Sequence, residues 1–286
     1  VKNENTTLRL DFILDDNHRL QVNYRETDSE ALRGSNSNPF NYYFPSNEYL
    51  KPEMTESEGF LLVSNWSDNF STEVSYNSKT TETGQSSPIG NNTANFRIND
   101  AFGMSRIYLG VDPYRSANVL ETTAETTKFK GIYDIDNHSI TFGYEEKAYD
   151  IYNVFIAFQD GSYTFDSYAD FLGKNASDYS ASNSRAGTEL GGAAAFDYTI
   201  ESFFIQDEIS VSPQLNLSIG VRSQKVDGDP TLQANGFSDE YGFSQAGMDR
   251  GGNQTNYRFA ADYSFDNGNV LKLSYGTYAT KFRSEE

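Results

Sequence analysis

FFIQDEISVSPQLNLSIGVR, residues 203–222, reads as two β-strands joined by a turn at Ser212-Pro213-Gln214. In the second strand Leu215, Leu217, Ile219 and Val221 alternate with Asn216, Ser218, Gly220 and Arg222. Side chains reverse face at every strand residue, so one face is apolar and the other polar. A half-wet soluble sheet has this pattern, and so does a membrane barrel with lipid outside and water within. How the pattern recurs along the chain separates the two.

Five short turns punctuate the sequence: Asp15–Asn17, Ser67–Asn69, Asp134–Asn137, Ser212–Gln214 and Asp266–Gly268. Asp, Asn, Gly and Pro dominate them because these residues tolerate or preset turn dihedrals. Each turn is flanked by alternating segments, and between the hairpins lie long polar stretches near 29–55, 83–120, 152–192 and 228–253. Long structureless loops are uncommon inside a compact soluble domain. In outer-membrane barrels, tight turns on one side and extended loops on the other are the rule.

A weak repeat follows four of the turns, leading from Asp-Asn through an alternating run to Tyr24, Tyr76, Tyr144 and Tyr275. Each tyrosine shares a face with apolar residues before it: Leu20 and Val22, Val74, Ile140 and Phe142, Leu271 and Leu273. Seven tilted strand residues climb roughly 17 Å, most of the ~25 Å apolar band of a barrel wall. The tyrosines would then form an outer girdle, with ring in lipid and hydroxyl at the headgroups. Trp66 and Tyr133, just before turns, suit the lower girdle. Cross-strand aromatic packing in a soluble meander is the competing explanation. Arg9, Asp11, Gln21, Asn23, Arg25, Glu73, Arg258 and Asp262 fall on the opposite faces, where a wet lumen would accept them. Asp207 breaks the rule by sharing a face with Phe203, Ile205 and Ile209; either it meets lipid or a bulge shifts the register.

Composition narrows the choice further. Only 37% of the 286 residues are hydrophobic, yet 15% are aromatic, with 20 Tyr and 21 Phe. That balance suits a half-wet sheet better than a thick two-layer core. No run approaches the ~18 apolar residues of a membrane helix, which says nothing against barrel strands. With no cysteine there is neither a disulfide framework nor a thiolate metal site. A net charge of −19 argues against nucleic acid as a partner, because phosphate binding needs a basic footprint. Such acidity suits a solvated surface, or cationic ligands and divalent ions. The start, VKNENTTLRL, lacks a signal-peptide pattern, so we expect a cleaved leader or an excerpt of a longer chain.

The long stretches carry the candidate binding residues. NPFNYYFPSNEY places Tyr42, Tyr43 and Phe44 between two prolines, as either a binding patch or a self-packed loop core. Ser167 followed by YADFL and Gly173 suits a capped helical turn, with Tyr163 and Phe165 just before it. Substrate-contacting positions are therefore expected at Tyr42, Tyr43, Phe44, Tyr163 and Phe165. No catalytic set, cofactor site or metal site is expected. His18 and His138 follow short turns, at the opposite end from the long loops, which disfavours a loop active site built on a histidine. The acidic pairs Glu145-Glu146 and Asp239-Glu240 point to opposite faces of a strand and make poor acid/base partners.

FFIQDEISVSPQLNLSIGVR resembles the barrel hairpin of TonB-dependent outer-membrane receptors, through Gln206-Asp207-Glu208, Pro213, Leu215, Leu217, Gly220, Val221 and Arg222. HSITFGYEEKAYDIYNVFI (138–156) and GSYTFDSYADFLG (161–173) are similar to the Oar-like subgroup, whose members bear an N-terminal carboxypeptidase-regulatory-like domain. The resemblance covers about 120–282 and fades toward the N-terminus. It implies an all-β fold: an antiparallel up-and-down transmembrane β-barrel segment of about ten strands from a larger barrel of about 22 strands. Residues 1–286 would form one partial barrel domain, with the plug and N-terminal domain absent. The end, KFRSEE, is not an aromatic closing strand.

The implied function is uptake of a small ligand or peptide across the outer membrane of a Gram-negative bacterium. External loops would bind the ligand, and the TonB complex would act through the absent plug. Further partners are outer-membrane lipid and the remaining strands of the same parent. The chain is then not an enzyme. The alternatives are a complete small outer-membrane barrel, as surface enzyme or adhesin, and a soluble extracellular β-rich binding protein.

Overall fold

The computed structural model describes residues 2–90, 92–100, 103, 105–115, 117–182, 193–228 and 252–278. In chain order the strands are β1 (Lys2–Ile13), β2 (His18–Arg33), β3 (Asn41–Tyr43), β4 (Tyr49–Ser67), β5 (Phe70–Gly84), β6 (Asn95–Ile98), β7 (Arg106–Gly110) and β8 (Ala117–Ile135). They continue with β9 (His138–Ile156), β10 (Ser162–Phe165), β11 (Asp178–Ser180), β12 (Ala193–Ser212), β13 (Leu215–Gly228), β14 (Gly252–Ser264) and β15 (Val270–Gly276). One short helix, α1 (Tyr168–Leu172), follows β10.

Ten long strands form a single antiparallel sheet in the order β1-β2-β4-β5-β8-β9-β12-β13-β14-β15. This is the up-and-down barrel segment expected from the alternation, with β1 and β15 as its two edges. All five tight reversals lie at one end of it. Their side chains close them: Asp15 Oδ1 accepts from the N–H groups of Asn17 and His18, and Ser212 Oγ from those of Gln214 and Leu215. Asp136 takes a positive φ of 52°, which aspartate tolerates better than most residues.

The register carries one apolar face across the whole sheet. Leu10 stands opposite Val22, Val22 opposite Phe60, Phe60 opposite Tyr76 and Val74 opposite Phe129. The row continues through Phe129–Tyr144, Tyr144–Phe203, Ile205–Val221, Val221–Tyr257, and Ile219–Phe259–Tyr275. Among the described residues no second layer covers it: Phe203 is 62% exposed, Ile219 49% and Leu273 58%. A row of uncovered Leu, Ile, Phe and Tyr this wide is far larger than a water-soluble monomer tolerates, and it fits a lipid contact. Arg9, Asp11, Gln21, Asn23, Arg25, Glu73, Arg258 and Asp262 all fall on the other face.

Glutamates mark where the apolar band ends. Tyr24 donates its hydroxyl to Glu26 at 2.7 Å, Tyr76 to Glu125 at 2.5 Å and Tyr144 to Glu146 at 2.7 Å. Ring below and carboxylate above is the arrangement a headgroup boundary favours. Near the turns, Trp66 is uncovered, stacks its edge on His18 with centroids 5.0 Å apart, and donates Nε1–H to Thr72 Oγ1 at 2.9 Å. Two close approaches in the wall require glycine, Gly131 on the apolar face and Gly143 on the inner face opposite Lys130 and Phe204. A Cβ on Gly131 would lie 2.5 Å from the Phe142 ring, and one on Gly143 would lie 2.3 Å from the Phe129 carbonyl.

Asp207 lies on the apolar face. The register shift in this hairpin falls between Ser210 and Ser212, too near the turn to move it, and it stands opposite Ile140 and Ile219. Its charge is met instead by His138, whose Nδ1 is 2.7 Å from Asp207 Oδ2.

The strands run farther than their alternation indicates. β2 reaches Arg33, β5 Gly84 and β9 Ile156, into the stretches read as loops. Beyond Tyr24 and Tyr76 both faces are largely polar, so the period-2 signal is lost while the pairing continues; the end of β9 instead buries Ile151, Val154 and Ile156. The three connections that remain described build a second sheet of five short strands, β11-β10-β6-β7-β3. Most of the 228–253 stretch, the 183–192 part of the third loop, Asp239-Glu240 and the KFRSEE terminus lie outside the described residues.

Candidate binding site on the loop sheet

The five short strands come from three separate connections, and two of their pairings are parallel: β6 with β10 and β3 with β7. Their alternation sorts side chains onto two faces. Tyr179, Tyr163, Phe96 and Leu109 form one row of the first face, and Phe165, Ile98, Ile107 and Tyr42 the next. The second face carries Asp178, Thr164, Arg97, Tyr108 and Tyr43, followed by Arg106 and Asn41.

The first face is a small core. Phe165 is 5% exposed and Ile98 1%. Helix α1 closes over them, with the Phe171 ring 5.3 Å from Phe165 and 6.2 Å from Phe96. Ser167 caps this helical turn by accepting from the Asp170 N–H at 3.1 Å. The same hydroxyl donates to the Asp170 carboxylate, and that bond, helped by Asn175, holds its pKa below the ordinary range.

Two buried asparagines tie the connections together. Asn95 donates Nδ2–H to the Val111 carbonyl at 2.8 Å and accepts from Ser162 Oγ at 3.1 Å. Asn47 donates to the Gly110 carbonyl at 2.7 Å. Gly110 has φ 79°, and a Cβ there would sit 2.0 Å from the Ala94 carbonyl, so only glycine passes.

The second face opens on a cavity of 720 Å³ lined by Phe40, Arg97, Asn99 and Arg106. Backbone bonds fix both sides of it: Arg106 N–H donates to the Phe40 carbonyl at 2.9 Å, and Asn99 N–H to the Phe165 carbonyl at 2.8 Å. Neither arginine makes an ion pair with a described residue, and Arg97 Nε is buried with no hydrogen-bond partner. Beside them Tyr43 stacks on Tyr108, with centroids 4.4 Å apart and planes 11° from parallel. Burial and the neighbouring Tyr108 push the Tyr43 phenol up, against the pull of Arg106 in the other direction.

The five aromatic candidates divide between the faces. Tyr43 lies on the arginine face. Tyr42 and Phe44 are exposed and meet edge to face at 5.3 Å. Tyr163 stacks between Phe96 and Tyr179, at 5.7 and 4.6 Å, and Phe165 is enclosed in the core. Phe40, Arg97, Asn99 and Arg106 were not singled out from sequence. The signal for Arg97, Asn99 and Arg106 was the brief alternation in NFRIN and SRIYLG, where isoleucines and aromatics interleave with arginines. His18 and His138 sit at the tight-turn end, and no group of three or more potential metal ligands occurs among the described residues.

No protein-family model and no curated protein matches this sequence. Among solved structures, the open form of the ferric-catecholate import receptor Fiu of Escherichia coli K12 superposes with a TM-score of 0.60 at 12% identity, covering 96% of this chain and 46% of its own. The copper transporter OprC gives 0.59 at 11%, over 96% of this chain and 36% of its own. The outer membrane transporter YddB from Escherichia coli gives 0.58 at 10%, over 96% and 31% respectively. At such identities the likeness is one of fold. The chain spans about a third to a half of the length of these transporters.

Proposed function

We propose that this chain is a section of the wall of a TonB-dependent outer-membrane receptor, of the Oar-like kind, in which residues 1–286 belong to one barrel domain. The observation that carries the reading is the register: one uncovered apolar face through ten strands, charge on the other face, and every tight turn at one end. The fold likeness to outer-membrane transporters supports it. The two stretches resembling the Oar-like subgroup coincide with β9 and with β10 plus α1, the elements that join wall to loop sheet.

In this reading the tight turns face the periplasm and the loop sheet faces the cell exterior. Ligand is met first at the rim, by Tyr42, Tyr43 and Phe44. Tyr163 contributes the middle ring of an aromatic stack, and Phe165 backs that stack from the core. Passage then runs along the charged inner face, with a plug supplied by the rest of the receptor and energy from the TonB complex. The work done is capture and release, with no bond broken in the ligand.

The test uses the full-length protein in its own cells. Recovery in the outer-membrane fraction with heat-modifiable gel migration is expected, together with flanking coding sequence for a plug and an N-terminal carboxypeptidase-regulatory-like domain. Recovery as a soluble monomer without detergent would refute the wall; coding sequence without a plug would refute the receptor.

A further inference from the structure

We propose that the cavity of the loop sheet is an anion site, and that the ligand met there is a soluble molecule bearing carboxylate or phosphate groups. This rests on the receptor reading above and names its ligand class. Overall acidity would suggest the reverse, a cationic ligand, but the charges are segregated. Among the paired positions of the apolar-facing side, the only cations are Lys2 and Lys225, whereas Glu26, Glu58, Glu125, Glu146 and Glu201 crowd above the tyrosines. On the inner side Arg25, Lys79 and Lys128 have no ion-pair partner among the described residues.

The rim shows the same bias in sharper form. Arg97 and Arg106 line one cavity without a described carboxylate, and a burial cost falls on the Arg97 Nε–H that nothing in the described chain offsets. A buried unpaired donor on a guanidinium is costly, and an oxyanion relieves it. Guanidinium forks match carboxylate and phosphate oxygens in pairs. Asn99 adds amide donors, and Phe40 supplies an apolar wall at the mouth. Both arginines are preset by strand backbone: Arg97 pairs with Tyr108 and Thr164, and Arg106 with Asn41. Their backbone therefore needs no ordering on binding.

The experiment is calorimetric titration of the full-length protein in detergent with citrate and with inorganic phosphate, and separately with micelles doped with a phosphorylated glycolipid. Heat-modifiable migration is read on every sample, so failure of the anion site is distinguished from failure of the barrel. The expected result is one saturable site for a soluble anion, weakened about tenfold in Arg97→Gln and in Arg106→Gln. Arg97→Lys should recover part of the loss, and Lys225→Gln should leave binding unchanged. With the barrel intact, no binding of either soluble anion, equal binding in the glutamine variants, or binding of the glycolipid alone would each overturn the proposal.

Discussion

Ile205 offers a clean perturbation of the wall. It is 49% exposed, and its neighbours across both adjacent strands are Phe142 and Val221. Its sequence neighbour Gln206 points to the other face, opposite Thr141 and Gly220. If water bathed both faces, a lysine at either site would change stability by no more than about 0.5 kcal/mol, the ordinary range for surface substitutions. If lipid bathes the Ile205 face, Ile205→Lys costs about 2–4 kcal/mol near the bilayer midplane. At 1.4 kcal/mol per factor of ten, that is a roughly 30- to 700-fold shift in the folding equilibrium. Gln206→Lys keeps a polar side chain in a polar place, beside Glu208, and should stay within about 0.5 kcal/mol of the parent. The assay is urea unfolding of the full-length protein in phosphatidylcholine vesicles, followed by heat-modifiable migration. Coincident midpoints for the two variants would refute the lipid-facing wall.

Three other perturbations, one of them a paired substitution, probe separate parts of the fold. Gly143→Val must push its side chain into the Phe129 carbonyl and the Phe204 ring, 2.3 and 2.6 Å from an added Cβ, and should cost about 1–3 kcal/mol in the same unfolding assay. Asn95→Ala leaves the Val111 carbonyl unpaired inside the loop sheet, at about 1–3 kcal/mol. Limited proteolysis should then cut within 85–116 faster while the wall keeps its heat-modifiable migration. His138→Leu strands the Asp207 carboxylate on the apolar face and should destabilise by about 1–3 kcal/mol, whereas adding Asp207→Leu should restore most of that loss.

The wall was legible because lipid on one side and water on the other impose a strict two-residue period between each tight turn and its tyrosine. Leu215, Leu217, Ile219 and Val221 show it in sequence as plainly as in space. Above the tyrosines the signal stops, because Glu26 and Glu146 face outward where Arg25 and Lys147 face inward, and polar alternating with polar has no period. The strand ends at Arg33 and Gly84 were therefore hidden. The loop sheet was hidden for another reason. Its strands have three to five residues, and Tyr43 finds Tyr108, and Phe96 finds Tyr163, across more than 60 residues of chain. Asp207 shows a third limit. Its face followed from parity, but the histidine that makes the position tenable belongs to another hairpin and is identified only by pairing β9 with β12.

The most direct measurement exploits the absence of cysteine from the chain. Single cysteines are placed at each position from Leu215 to Arg222, and the protein is folded into vesicles and labelled with a fluorophore. A lipid-borne nitroxide should quench the label at 215, 217, 219 and 221, and a water-soluble quencher should reach it at 216, 218, 220 and 222. Loss of that alternation, or water-side quenching at 215, 217, 219 and 221, would contradict a one-layer wall between lipid and water.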